Sequence, residues 1–169
     1  TTDRVYQYNL STAWDVSTAS SYTSFYVGSQ LGGGSAISFK SDGTKMYLLG
    51  YSSDTMYQYS LSTAWDLATA SYDSVSLSVL AQDANTKGLT FKEDGTRFYT
   101  SGSSNDKIYQ YNMGTAWNLA TASYSGVSLS ISAQDTNPEE VFILTGGEKI
   151  YLLGDATNQV FEYNLSTAY

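Results

Sequence analysis

The residues of this 169-residue chain that could do chemistry are few in kind. Trp14, Trp65 and Trp117 each follow an alanine at nearly constant spacing. An indole offers a flat apolar platform, so these three are candidates for ligand binding, one sugar site per copy. The same regularity suits an anchor that packs a connection between strands. The many tyrosines join apolar area to a hydrogen-bonding tip and suit either a sugar-binding face or sheet packing. Asn9-Leu10-Ser11 and Asn164-Leu165-Ser166 are sequons, which makes Asn9 and Asn164 glycosylation candidates. Asp83 with Asn85, and Asp135 with Asn137, have the spacing of calcium-loop oxygens, but no closing Glu completes a ligand set, so they read as turn formers. Acid–base catalysis would rest on carboxylates, as in glycosidases that pair two acids. Asp42, Asp54, Asp94 and Asp106 instead fall in turns, and most of the acids recur with the scaffold. Arg4 and Arg97 are the only arginines, too few for an anion clamp. From these residues the chain is expected not to be an enzyme.

Composition narrows the field further. There is no Cys, hence no disulfide framework, zinc ribbon or thiol nucleophile. There is no His, which removes the commonest general base and metal ligand, and every Ser-His-Asp triad. No catalytic residue, metal site or cofactor is therefore expected. A net charge of −8 is a poor match for nucleic acid or an anionic membrane surface. No apolar run is long enough for a membrane-spanning helix. The chain begins at Thr1 without Met, which points to the removal of a leader, tag or flanking sequence.

Self-comparison shows how these residues are positioned. Tyr6-Gln7-Tyr8 recurs as Tyr57-Gln58-Tyr59 and Tyr109-Gln110-Tyr111, then as Phe161-Glu162-Tyr163, at steps of 51, 52 and 52 residues. Asp42-Gly43-Thr44 returns as Asp94-Gly95-Thr96 and decays into Gly146-Gly147-Glu148. Ala168-Tyr169 opens a further copy. Each period predicts four short strands. The first, such as Gly88 to Lys92, leads through an Asp-Gly turn into the second, such as Lys45 to Leu49. There Met46 and Leu48 face one side and Tyr47 and Leu49 the other. The Tyr-Gln-Tyr segment is the third strand, and Val75, Leu77 and Val79 mark a fourth by their period of two. The stretches from Ala64 to Ser71 and from Ala116 to Ser123 are too short and too rich in Ser and Thr for stable helices, and read as irregular connections.

Four antiparallel strands per period of about fifty residues predict an all-β fold of β-propeller blades, with a β-trefoil as the alternative. The expected divisions are a partial blade over 1–35, blades over 36–87 and 88–139, and a partial blade over 140–169. About three blades make an incomplete ring. That leaves a segment of a longer array, a ring made by two chains, or a head-to-tail filament. The phrase from Ile37 to Tyr47, with Tyr57 to Ala70, resembles the blade repeats of YVTN-type and TolB-like propellers, whose Phe-x-x-Asp-Gly-x-x-x-Tyr hairpin stands at Phe39 to Tyr47 and Phe91 to Tyr99. The resemblance implies a secreted, surface or virion protein. The resulting expectation is a non-catalytic extracellular protein of structure or adhesion. It would assemble through blade packing and strand pairing with copies of itself or with flanking repeats, and glycans are its candidate small partners. The competing expectation is a carbohydrate-binding propeller module.

Overall fold

Alternating side chains and tight turns make thirteen strands over residues 3–166, the part of the chain that the computed structural model describes. Ala168-Tyr169 lies outside these described residues. The strands are β1 (Arg4–Leu10), β2 (Ala19–Tyr26), β3 (Gly34–Phe39), β4 (Lys45–Gly50), β5 (Thr55–Leu61), β6 (Ala70–Ser78) and β7 (Thr86–Phe91). They continue as β8 (Arg97–Gly102), β9 (Lys107–Met113), β10 (Ala122–Ser130), β11 (Pro138–Ile143), β12 (Lys149–Gly154) and β13 (Gln159–Asn164). Each pairs antiparallel with its sequence neighbour inside one of four sheets: β1-β2, β3-β4-β5-β6, β7-β8-β9-β10 and β11-β12-β13. The sheets are separate blades of an open ring, so the trefoil alternative, which needs one closed barrel, does not hold.

Local chemistry accounts for the turns. Gly43 and Gly95 take φ of +73° and +71°, which only glycine adopts without strain. Asp42 and Asp94 close the same hairpins by accepting from the Thr44 and Thr96 amides. In the third copy Gly147 holds the same position at φ +74°, so the hairpin survives the loss of its aspartate. The connections from third to fourth strand are not wholly irregular. Each carries one 3-10 turn, at Val16–Thr18, Leu67–Thr69 and Leu119–Thr121. An Asx residue caps each turn: Asp15, Asp66 and Asn118 accept from the amides two residues on.

The core lies between blades. On β4, Met46 and Leu48 join a cluster with Val27, Leu31, Tyr59, Leu61 and Leu67 that seals the blade against β1-β2. Tyr47 and Leu49, on the opposite face, join Met56, Phe98, Tyr111, Met113 and Leu119 against the next blade. A third cluster, around Tyr99, Ile108, Ile131, Val141, Ile150 and Leu152, seals β7-β10 against β11-β13. A two-sided strand cannot be covered by its own sheet, so stacking is obligatory. The first strands β3, β7 and β11 touch in sequence and gather on the inner side, while the fourth strands carry the exposed edges.

Candidate functional site

Where the first strands converge, the ladders break at one repeated position. The register of β3 against β4 shifts between Gly34 and Ala36, that of β7 against β8 between Thr86 and Gly88, and that of β11 against β12 between Pro138 and Glu140. The residue stepped out of each ladder is Ser35, Lys87 or Glu139. A bulge re-aims its side chain, and bulges recur beside binding sites for that reason. Here three equivalent bulges line one cavity of about 500 Å³, completed by Gly34, Tyr51 and Asn85. The repeat thus places a hydroxyl, an ammonium and a carboxylate at matched positions around one opening.

These groups are held as well as gathered. The Lys87 ammonium donates to the Asn137 side-chain oxygen at 3.0 Å and pairs with the Glu139 carboxylate. Ser35 donates to the Leu49 carbonyl at 3.2 Å. Behind the cavity, buried Asp83 accepts from the amides of Asn85, Ser104 and Asn105, and so fixes the loop that carries Asn85. Asp135 does the same for Asn137, accepting from the Asn137 amide at 2.7 Å and from the amide and hydroxyl of Thr157. Burial works to raise the Asp135 carboxyl. The bonds from the Thr157 hydroxyl and from the amides of Asn137, Thr157 and Ala156 outweigh it and hold the group below the ordinary carboxylate range. Gly102 and Gly154 make room for these aspartates, because a Cβ on either would lie 2.2 Å from the Asp83 or Asp135 carboxylate. In the first full blade Leu31 stands where Asp83 and Asp135 stand later, and it packs under Gly50 instead.

Those aspartates match the turn-forming expectation for Asp83–Asn85 and Asp135–Asn137. The tryptophans are placed elsewhere. Trp65 and Trp117 cover the Gly43 and Gly95 hairpins, at the opposite end of the strands from the cavity, with Trp65 half open to solvent. Trp117 stacks on Phe91 at 5.3 Å between ring centres. Trp14 is 98% exposed. The three belong to three different sheets, and among the described residues no ring contact joins any two of them. Asn9 and Asn164 are exposed, on β1 and β13 respectively. The repeated acids Asp42 and Asp94 are hairpin residues bound to Lys40 and Lys92 at 2.7 and 2.8 Å. Buried Asp54 accepts from the Thr86 amide across the blade boundary. Sequence reasoning missed Lys87 and Glu139 because it searched for residues that repeat. Their signal is the reverse: one repeat position occupied in turn by Ser, Lys and Glu.

The blades, their bulged inner strands and their radial order decide the architecture. It is an open β-propeller. No family model matches the chain, and no curated protein matches it. Solved structures do. A protein of Bacteroides fragilis assigned as a 6-phosphogluconolactonase superposes with TM-score 0.67 at 17% identity, over 96% of this chain and 44% of that one. The periplasmic gluconolactonase PpgL of Pseudomonas aeruginosa gives 0.59 at 14% identity, over 78% and 35%. The β-propeller domain of Cps50 (Swd1) from Myceliophteria thermophila gives 0.56 at 10%, over 79% and 40%. The chain spans less than half the length of each of these three structures.

These comparisons correct two expectations. Structures sharing the fold include proteins named for lactone cleavage, which overturns the reading of a non-catalytic structural or adhesion protein. They equally overturn the expectation that the chain is no enzyme. The physical reason is visible in the cavity. Counting acids that recur in turns discarded the carboxylates as scaffold, whereas Glu139 recurs nowhere and stands beside an ammonium group on a bulge.

Proposed function

We propose that the chain contributes the axial site of a propeller hydrolase that opens the cyclic ester of a polyhydroxy acid. The observation that carries this reading is the meeting of Ser35, Lys87 and Glu139 on three equivalent bulges at one cavity. The Glu139 carboxylate takes a proton from water, whose oxygen attacks the ester carbonyl carbon. The Lys87 ammonium faces the oxygen on which negative charge develops, the placement that lowers such a barrier most. Collapse of the tetrahedral intermediate breaks the ring carbon–oxygen bond, and the proton held on Glu139 passes to the departing alkoxide. Water is consumed and one open hydroxy acid forms, with no other reactant. Ser35, Tyr51 and Asn85 supply neutral donors and acceptors for the substrate hydroxyls. The names of the superposing structures support a lactone as substrate. The hairpins at Phe39 to Tyr47 and Phe91 to Tyr99 support the finer relation to YVTN-type and TolB-like repeats.

The test is the hydrolysis of glucono-δ-lactone, followed by acid release above the spontaneous rate. Glu139→Gln is expected to lower the catalysed rate about a hundredfold, the usual scale for a lost general base, with the circular dichroism spectrum unchanged. A wild-type rate equal to the blank, together with no saturable lactone binding, refutes the reading.

A further inference from the structure

The Tyr-Gln-Tyr strands carry a device that the hydrolytic site does not use. Gln58, 4% exposed on β5, reaches across the blade boundary and accepts from the Leu119 amide at 2.8 Å. One repeat earlier Gln7 accepts from the Leu67 amide at 2.7 Å and donates to the Trp65 carbonyl at 2.8 Å. In both cases the glutamine of one blade grips the 3-10 turn of the next blade's connection, and the leucine that opens the turn is buried. The third glutamine, Gln110 on β9, is half-buried, and among the described residues its side-chain amide has no hydrogen-bond partner.

What surrounds Gln110 is the repeat equivalent of the pocket that holds Leu119. A cavity of about 250 Å³ lies there, lined by Tyr99, Ile108, Val127, Leu129 and Ile150 along with Gln110 itself. Each stands 52 residues after Tyr47, Met56, Val75, Leu77, Phe98 and Gln58. Those six surround or grip Leu119, the five apolar ones within its cluster and Gln58 through its amide. Beside the cavity β13 ends its sheet as a third strand, in the place where β5 and β9 each pair with a fourth. The occupant is therefore specified twice, by a leucine-sized apolar pocket with a glutamine at its rim and by an open strand edge.

We propose that this cleft receives an Asx-Leu-Ala-Thr turn that runs on into a fourth strand along β13, donated by one further repeat of this type. The leucine fills the cavity, Gln110 accepts from its amide, and the donated strand closes the β11-β12-β13 sheet. A fluorescein-labelled peptide of residues 118–131, which carries this turn and β10, tests it by anisotropy titration with the whole chain. Saturable binding is expected. Leu119→Asp in the peptide should weaken it at least a hundredfold, since a carboxylate would enter an apolar pocket. Gln110→Ala in the protein should weaken it about tenfold through loss of one buried hydrogen bond. The proposal is overturned if no saturation is reached at roughly millimolar peptide, or if scrambled and Leu119→Asp peptides bind as well. It is also overturned if sedimentation shows a stable dimer that excludes the peptide, because a second copy would then own the cleft.

Discussion

Replacing Gln58 by alanine tests whether blade packing is specified by polar grips as well as by apolar area. The side chain is buried and satisfied at both ends: its oxygen accepts from the Leu119 amide at 2.8 Å and its nitrogen donates to Asp73 at 2.7 Å. Truncation leaves the amide of a residue that is 1% exposed without a partner. An orphaned buried donor costs about 1–3 kcal/mol. Asp73 keeps Ser60 at 2.9 Å and Lys45 at 3.1 Å, so its loss is partial. With a small residual cavity the total is about 3 kcal/mol. For a chain of this length that lowers Tm by about 6–12 °C. The equivalents grade the effect. Gln7→Ala, on the more open first interface, should cost about 1 kcal/mol. Gln110→Ala, with no partner among the described residues, should fall within about 0.5 kcal/mol of wild type. Urea unfolding followed by tryptophan fluorescence measures all three. Equal costs at the three positions, or a Gln58→Ala change below about 0.5 kcal/mol, would refute the grip as a source of stability.

The tryptophans should separate in the same assay. Trp117→Ala, which removes a ring stacked on Phe91 and packed over Gly95, should cost about 3 kcal/mol, while Trp14→Ala should be near neutral. Gly102→Ala drives a methyl into the Asp83 carboxylate and should lower the urea midpoint by at least about 2 kcal/mol equivalent. Gly50→Ala meets the ends of two side chains, Leu31 at 3.1 Å and the Ser53 hydroxyl at 3.2 Å, and should be milder. Acid should destabilise the chain late. The Lys92 ammonium and the Thr96 hydroxyl lower Asp94 from 3.8 to about 2, and Lys40 and Thr44 hold Asp42 lower still. Carboxyls depressed on folding contribute stability above their unfolded pKa and lose it as pH falls through the folded value. Urea midpoints should therefore hold down to about pH 4 and fall between there and pH 2. A midpoint unchanged at pH 2 would contradict the assignment.

The repeat, the hairpins and the two-sided second strand were legible in the residues because each is local. Asp-Gly turns set hairpins within four residues, and a period of two sorts Met46 and Leu48 from Tyr47 and Leu49 without reference to the rest of the chain. The 3-10 turns were half legible. Asp66 and Asn118 announce a cap, but a single turn has too little helical signal to distinguish it from a loop. The cavity residues were passed over because they differ from repeat to repeat, whereas the tryptophans recur. Ser35, Lys87 and Glu139 are 52 residues apart in sequence, and no local pattern joins them. They meet only because sheets apolar on both faces must stack radially, which brings three bulged inner strands to one opening. The glutamine grip is decided at the same level. Gln58 reads as the polar side of an amphipathic strand, and only the neighbouring blade, 61 residues on, turns it into the acceptor for a buried amide. Sequence alone determined the module and its obligation to stack. Stacking, a matter of non-local burial, decided which side chains face one another and so where chemistry can occur.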